Sequence, residues 1–178
     1  MIACVVLAAG ASSRFGSPKQ QLLVGPVLEQ VRRSSVDEVV VVVGAHELET
    51  TARVVRCPRW ERGPGASLRC GLEALPAETE AAVVVLADGP DLAPEAIDRV
   101  IGTWREGHAP VVAATYGGIR LHPVLLAREA WEEIPDEGAK RLDAVLVACD
   151  DLGSPGDVDL ADELPERLKP KPWSSPDR

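Results

Sequence analysis

Ile2-Ala3-Cys4-Val5-Val6-Leu7-Ala8, followed by Ala9 and Gly10, is the stretch whose reading decides the fold class. Seven apolar residues in a row, with no alternation of polar and apolar, fit a strand buried on both faces. Three further runs share that character: 39–43 (VVVVV) closed by Gly44, 82–87 (AVVVLA) running into Asp88-Gly89-Pro90, and 111–114 (VVAA). Between them the pattern predicts helices at about 27–35, 66–75 and 94–105. Pro94 suits the first turn of the last, and Glu95 suits its dipole. Strands alternating with helices at this spacing read as a parallel α/β sheet. Ligands in such sheets bind beyond the carboxyl ends of strands, where the loops starting at Ala8 and at Asp88 both lie.

The second half is less regular. It predicts short helices near 127–134, 138–144 and 160–168, and a stretch at 145–148 that is either a last strand or part of the preceding helix. From 129 to 166 there are 13 acidic residues against Lys140 and Arg141 alone, which reads mostly as a solvated face. The organisation expected is one domain over 1–168, with a proline-rich, disordered tail at 169–178.

Composition narrows the function. The chain has 178 residues, 46% hydrophobic and 26% charged, but only 3% aromatic. Few rings argue against a nucleic-acid surface built on base stacking. The net charge of −9 repels phosphate backbones at long range, so no nucleic-acid partner is expected. Cys4, Cys57, Cys70 and Cys149 show no CxxC pair and no zinc spacing. The opening MIACVVLAAG lacks a basic flank and is too short for a signal peptide. No run approaches the roughly 18 apolar residues of a spanning helix. The expectation is a reduced, cytoplasmic protein with no membrane partner.

The loop after the first run reads Leu7-Ala8-Ala9-Gly10-Ala11-Ser12-Ser13-Arg14-Phe15-Gly16-Ser17-Pro18-Lys19. Small residues let backbone N–H groups approach and cradle phosphate. Arg14 is able to fork two bonds onto phosphoryl oxygens, and Lys19 adds a point charge after the Ser17-Pro18 turn. The alternative is an ordinary connection whose cations face water. The spacing is neither GxGxxG nor a Walker loop, which excludes a dinucleotide oxidoreductase and a P-loop ATPase.

Asp88 emerges at a strand end, a position suited either to Mg²⁺ or to a tight turn. Asp91 reads better as a helix cap than as a ligand. Asp157-Val158-Asp159, if extended, points both carboxylates to one side and Val158 to the other. That arrangement suits a shared divalent ion, yet Asp159 is equally a candidate N-cap in an acidic tract.

On these residues the chain resembles the MobA-like nucleotidyltransferases. LAAGASSRFGSPK (7–19) matches the family pattern LAAG-x-S-S-R-x-G-x-P-K, VDEVVVVVG (36–44) resembles its second strand, and GPGASLRCGLEAL (63–75) its Gly-rich loop and helix. LADGPDL (86–92), Arg120–Leu126, GAKRL (138–142) and GDVDLADEL (156–164) resemble later family segments in order. The resemblance implies a three-layer α/β/α sandwich with a mostly parallel, mixed, Rossmann-like sheet. It implies transfer of a nucleoside monophosphate to a phosphorylated acceptor with release of pyrophosphate. Leu7, Ala8, Ala9, Gly10, Ser12, Ser13, Arg14, Lys19, Ser67 and Asp88 would then bind nucleotide. Arg14, Lys19 and Asp88 would be catalytic, and Asp88, Asp157 and Asp159 would hold Mg²⁺. His122 would line the acceptor side; its other reading is a satisfied turn histidine.

LAAG is similar to the CTP-using branch, the molybdenum cofactor cytidylyltransferases, in which CMP passes to molybdopterin. Ala9, rather than Gly, narrows a base pocket toward a pyrimidine. Other small phosphates, such as a sugar phosphate or phospholactate, are alternative acceptors, with GTP an alternative donor. A CTP–Mg²⁺-binding partner of a molybdoenzyme maturation protein is the alternative without turnover. The chain departs from the pattern in five places. The segment after Lys19 is about four residues short, Gly89 replaces Gln, Leu121 replaces Gly, Leu160–Glu163 replace TPED, and GPGAS (63–67) carries an extra residue.

Overall fold

A computed structural model describes residues 1–11 and 19–169. Seven strands form one sheet: β1 (Ile2–Ala8), β2 (Glu38–Val43), β3 (Arg53–Arg56), β4 (Ala81–Leu86), β5 (Val111–Tyr116), β6 (Ile119–Ala127) and β7 (Val145–Ala148). Their order is β3-β2-β1-β4-β6-β5-β7, and only β6 runs antiparallel to its neighbours. Helices α1 (Lys19–Arg32) and α3 (Pro94–Gly107) cover one face, and α2 (Pro64–Glu73) covers the other. The single-domain, three-layer α/β/α arrangement expected from the sequence is present.

The unbroken apolar runs follow from that layering. On β1, Cys4 and Val6 join the core under α1 and α3, while Ala3 and Val5 join the core under α2. A period of two therefore persists, but both faces are apolar. Gly71 of α2 lies so close to the sheet that a Cβ there would sit 2.6 Å from Val5 Cγ1 and 2.8 Å from Val42 Cγ2.

Several boundaries differ from expectation. Helix α1 begins at Lys19, eight residues before the predicted start, and runs through Gly25-Pro26. Leu23, Val24, Val27, Leu28 and Val31 bury one stripe of it, and that packing outweighs the hydrogen bond Pro26 cannot make. The helices predicted at 127–134, 138–144 and 160–168 are instead short 3₁₀ turns: Arg128–Glu133, Ala139–Arg141, Ala161–Glu163 and Glu166–Leu168. Residues 145–148 are a strand, parallel to β5. Strands β3 and β6 carried no clear signal. Pro123, in an interior strand, falls where the β5–β6 register shifts between Ala113 and Thr115, the kind of irregularity a strand proline needs.

Cysteine chemistry is also corrected. Cys57, just beyond β3, is disulfide-bonded to Cys70 of α2, with Cα atoms 5.6 Å apart. The expectation of four reduced thiols failed because residues 13 apart in sequence carry no CxxC signature. Cys4 and Cys149 are free and buried. Among the described residues no helix is long and apolar enough to cross a membrane. The tail from Pro170 onward lies outside the described residues.

Candidate active site

The carboxyl ends of β1, β2 and β4 rise side by side, and a cavity of about 440 Å³ opens there. Leu7, Ala9, Gly10, Lys19, Asp88 and Asp159 line it, together with Ser67 from the buried face of α2. Its floor is fixed by backbone bonds between neighbouring strand ends. Ala87 N–H donates to Leu7 C=O at 3.0 Å, and Ala45 N–H donates to Ala9 C=O at 3.2 Å.

Lys19 stands in the first turn of α1, a helix end that disfavours a cation. It is only 6% exposed, so carboxylates must compensate. Its Nζ donates to the Val158 carbonyl at 2.6 Å and lies 3.1 Å from Asp88 Oδ2 and 3.2 Å from Asp159 Oδ1. Burial alone would lower its pKa. The charges and hydrogen bonds of Asp88 and Asp159 outweigh that and leave it raised, so Lys19 is cationic at neutral pH.

Asp159 reaches Lys19 because its segment docks on the loop after β4. Asp91 N–H donates to Pro155 C=O, and Val158 N–H donates to Asp88 C=O, each at 3.0 Å. Gly89 permits this approach: a Cβ there would stand 3.2 Å from the Pro155 carbonyl oxygen. The departure from the family pattern at this position thus falls where the acidic segment packs closely. Val158 is buried against Leu23 and Leu164. Asp91 does not cap α3, whose N-cap is Ala93; its carboxylate pairs with Arg167.

The sequence-predicted residues separate into groups. Leu7, Ala9, Gly10, Lys19, Ser67, Asp88 and Asp159 share the cavity. Ala8 packs into the core under α1 and α3. Asp157 is exposed and outside the lining, although its carboxyl pKa is raised, first by desolvation and then by Asp88 and Asp159. Among the described residues no three His, Cys, Asp or Glu side chains converge on a metal position. Ser12, Ser13 and Arg14 lie outside the described residues.

His122 lies in an adjoining cavity of about 310 Å³, which shares Leu7, Pro64 and Leu86 with the first. Desolvation pushes its pKa down to about 4, with Asp88 opposing and Arg120 adding to the fall. Arg120 borders the same space, donating to Leu142 C=O at 2.7 Å and Ala139 C=O at 3.0 Å. Two residues of the first cavity went unread in the sequence. Gln20, 5% exposed, donates from Nε2 to Gly10 C=O at 3.1 Å and ties the start of α1 to the exit of strand β1. Its position beside Lys19 was the available signal. Trp60 also lines the cavity, against Gly44, with nothing in its neighbours to mark it.

Does the donor set fit a divalent ion? Asp88 Oδ1 is buried with no hydrogen-bond partner among the described residues, an acceptor left for a ligand. Mg²⁺ sites that handle phosphates commonly use one or two carboxylates plus substrate oxygens, and Asp88 with Asp159 supplies two. The residues fit.

Comparison with known proteins identifies the family and the fold. The model of the MobA-like NTP transferase domain matches residues 4–152. The crystal structure of Rv0371c from Mycobacterium tuberculosis H37Rv is 28% identical, with a TM-score of 0.77, covering 94% of this chain and 96% of that one. Its homologue from Mycobacterium sp. strain JC1 is 26% identical, with a TM-score of 0.75 and coverage of 90% and 91%. A manganese complex of Rv0371c aligns at 25% identity and a TM-score of 0.63, covering 83% and 87%. No curated protein matches the chain. With the family model spanning most of the sequence, this chain belongs to the MobA-like NTP transferase family and is a nucleotidyltransferase.

Proposed function

We propose that the protein transfers CMP from CTP to a terminal phosphate on a small acceptor, the molybdopterin cofactor, in a Mg²⁺-dependent reaction. An oxygen of the acceptor phosphate attacks the α-phosphorus, the bond from that phosphorus to its bridging oxygen breaks, and pyrophosphate leaves. The observation that carries this reading is the buried Lys19 ammonium between Asp88 and Asp159 at the mouth of the strand ends. A buried cation there offsets charge accumulating on the phosphates.

Asp88 and Asp159 would hold the ion, which when bound neutralises phosphate charge and lowers the cost of pyrophosphate departure. The orphaned Asp88 oxygen supports that role, as does the manganese complex of the mycobacterial relative. The Ala9 and Gly10 backbone and Ser67 take the nucleoside, and Ala9 favours a pyrimidine. Arg14, with Ser12 and Ser13, grips the triphosphate. The adjoining cavity, with neutral His122 beside Arg120 and Lys140, takes the acceptor. An acceptor that already carries an anionic phosphate needs no base to activate it.

The test is a pyrophosphate-release screen of the four triphosphates against molybdopterin, sugar phosphates and phospholactate. CTP with molybdopterin should give the fastest release. A GTP preference would remove the Ala9 argument, and faster release with another phosphate would reassign the acceptor. CTP-dependent thermal stabilisation without release would leave a nucleotide-binding partner of molybdoenzyme maturation.

A further inference from the structure

We propose that Lys19 and the divalent ion compete for the charge of the same two carboxylates, so that the free protein binds the ion weakly and takes it up far better with the nucleotide. This rests on the two-carboxylate metal reading above. An ammonium has three donors, and Lys19 Nζ meets three oxygens, from Val158, Asp88 and Asp159, at 2.6, 3.1 and 3.2 Å. The ammonium is thus satisfied without substrate, and it sits between the same two carboxylates that a metal would need. Mg²⁺ binds carboxylate oxygens at about 2.0–2.1 Å, so an ion on the open Asp88 Oδ1 would stand within a few ångströms of an ammonium hydrogen-bonded to the other oxygen of the same carboxylate.

Charge leads to the same result. A divalent ion next to a buried ammonium, at a helix end that is itself positive, is repelled by both. Lys19 nevertheless stands at the cavity edge on a flexible four-carbon stem. Incoming phosphates offer it new acceptors inside the cavity. As Nζ swings to them, Asp88 and Asp159 are released to the ion that accompanies the triphosphate. Ion and nucleotide then bind with positive coupling, each raising the affinity of the other. Lys19 serves twice: it disfavours free metal at the two carboxylates, and it becomes the phosphate clamp when nucleotide binds.

Mn²⁺ titration of the nucleotide-free full chain, followed by electron paramagnetic resonance, tests this. Lys19→Met keeps the stem and removes the charge; it should bind Mn²⁺ at least about tenfold more tightly than the wild-type chain. Lys19→Gln, which still donates one hydrogen bond to the Val158 carbonyl, should show the same direction and stands in if the Met variant does not fold. Adding Asp88→Asn to either variant should abolish the gain. Unchanged or weaker Mn²⁺ binding in both single variants, with residual binding still lost on Asp88→Asn, would overturn the competition while leaving the metal site intact. No Mn²⁺ binding by any of these proteins, even with CTP present, would overturn the metal reading and the competition together.

Discussion

At the scale of single residues, burial decides what each charged group contributes. Lys19 is charged because two carboxylates overcome its desolvation, and the phosphate role proposed for it depends on that charge surviving inside the protein. Lys19→Ala should lower turnover by about 10²–10³-fold, the usual effect of removing one transition-state donor. Pyrophosphate release checks the rate, and circular dichroism should show a native fold. His122 behaves in the opposite way, since Asp88 only partly opposes its desolvation. A histidine with a folded pKa of about 4 and an ordinary value of 6.5 binds its proton more tightly when the chain is unfolded. Its contribution to stability is therefore complete above pH 6.5 and is lost as pH falls toward 4. An NMR titration of the imidazole should show a midpoint near 4, and a midpoint at 6 or above would mean that His122 is solvated.

Elements were legible in proportion to how much apolar surface they bury. The runs forming β1, β2, β4 and β5 have buried cores in the structure and could be read directly. Strand β3 (RVVR) is a short edge strand with both arginines exposed, and its composition does not distinguish it from a loop. Strand β6 was hidden by Pro123 and by an outer half in which Ile119 and Leu121 are exposed. The Cys57–Cys70 bond belongs to this scale, because it fastens the segment after β3 to α2, which carries Ser67. In denaturant without reductant, two of the four cysteines should react with a thiol reagent, and all four after reduction. Four reactive thiols at the first step would show the bond absent. Cys70→Ser should cost about 3 kcal/mol in urea unfolding, the usual contribution of a loop of this length.

Across the whole molecule, the site depends on the C-terminal segment being held against the β4 end. Its contacts include the buried cluster of Leu23, Val158 and Leu164, the Arg167–Asp91 pair, and the backbone bonds from Val158 N–H to Asp88 C=O and from Asp91 N–H to Pro155 C=O. Leu164→Ala should cost about 2 kcal/mol, the low end for a buried leucine because the cluster is small. It should also speed hydrogen exchange at the Val158 amide; unchanged exchange would mean that the segment is held without the cluster. The sequence by itself determined the α/β class, the one-domain layout and the first-loop motif, since strand burial and loop chemistry are written in neighbouring residues. Tertiary structure alone decided that Lys19 meets Val158 and Asp159, 139 and 140 residues away. It also decided that β6 turns back between β4 and β5, that Cys57 finds Cys70, and that Asp157 stays outside the cavity. Side-chain periodicity is local and can be read along the chain. Which distant loops dock depends on strand order and on close approaches such as that at Gly89, and neither is encoded in the spacing of the residues that finally meet.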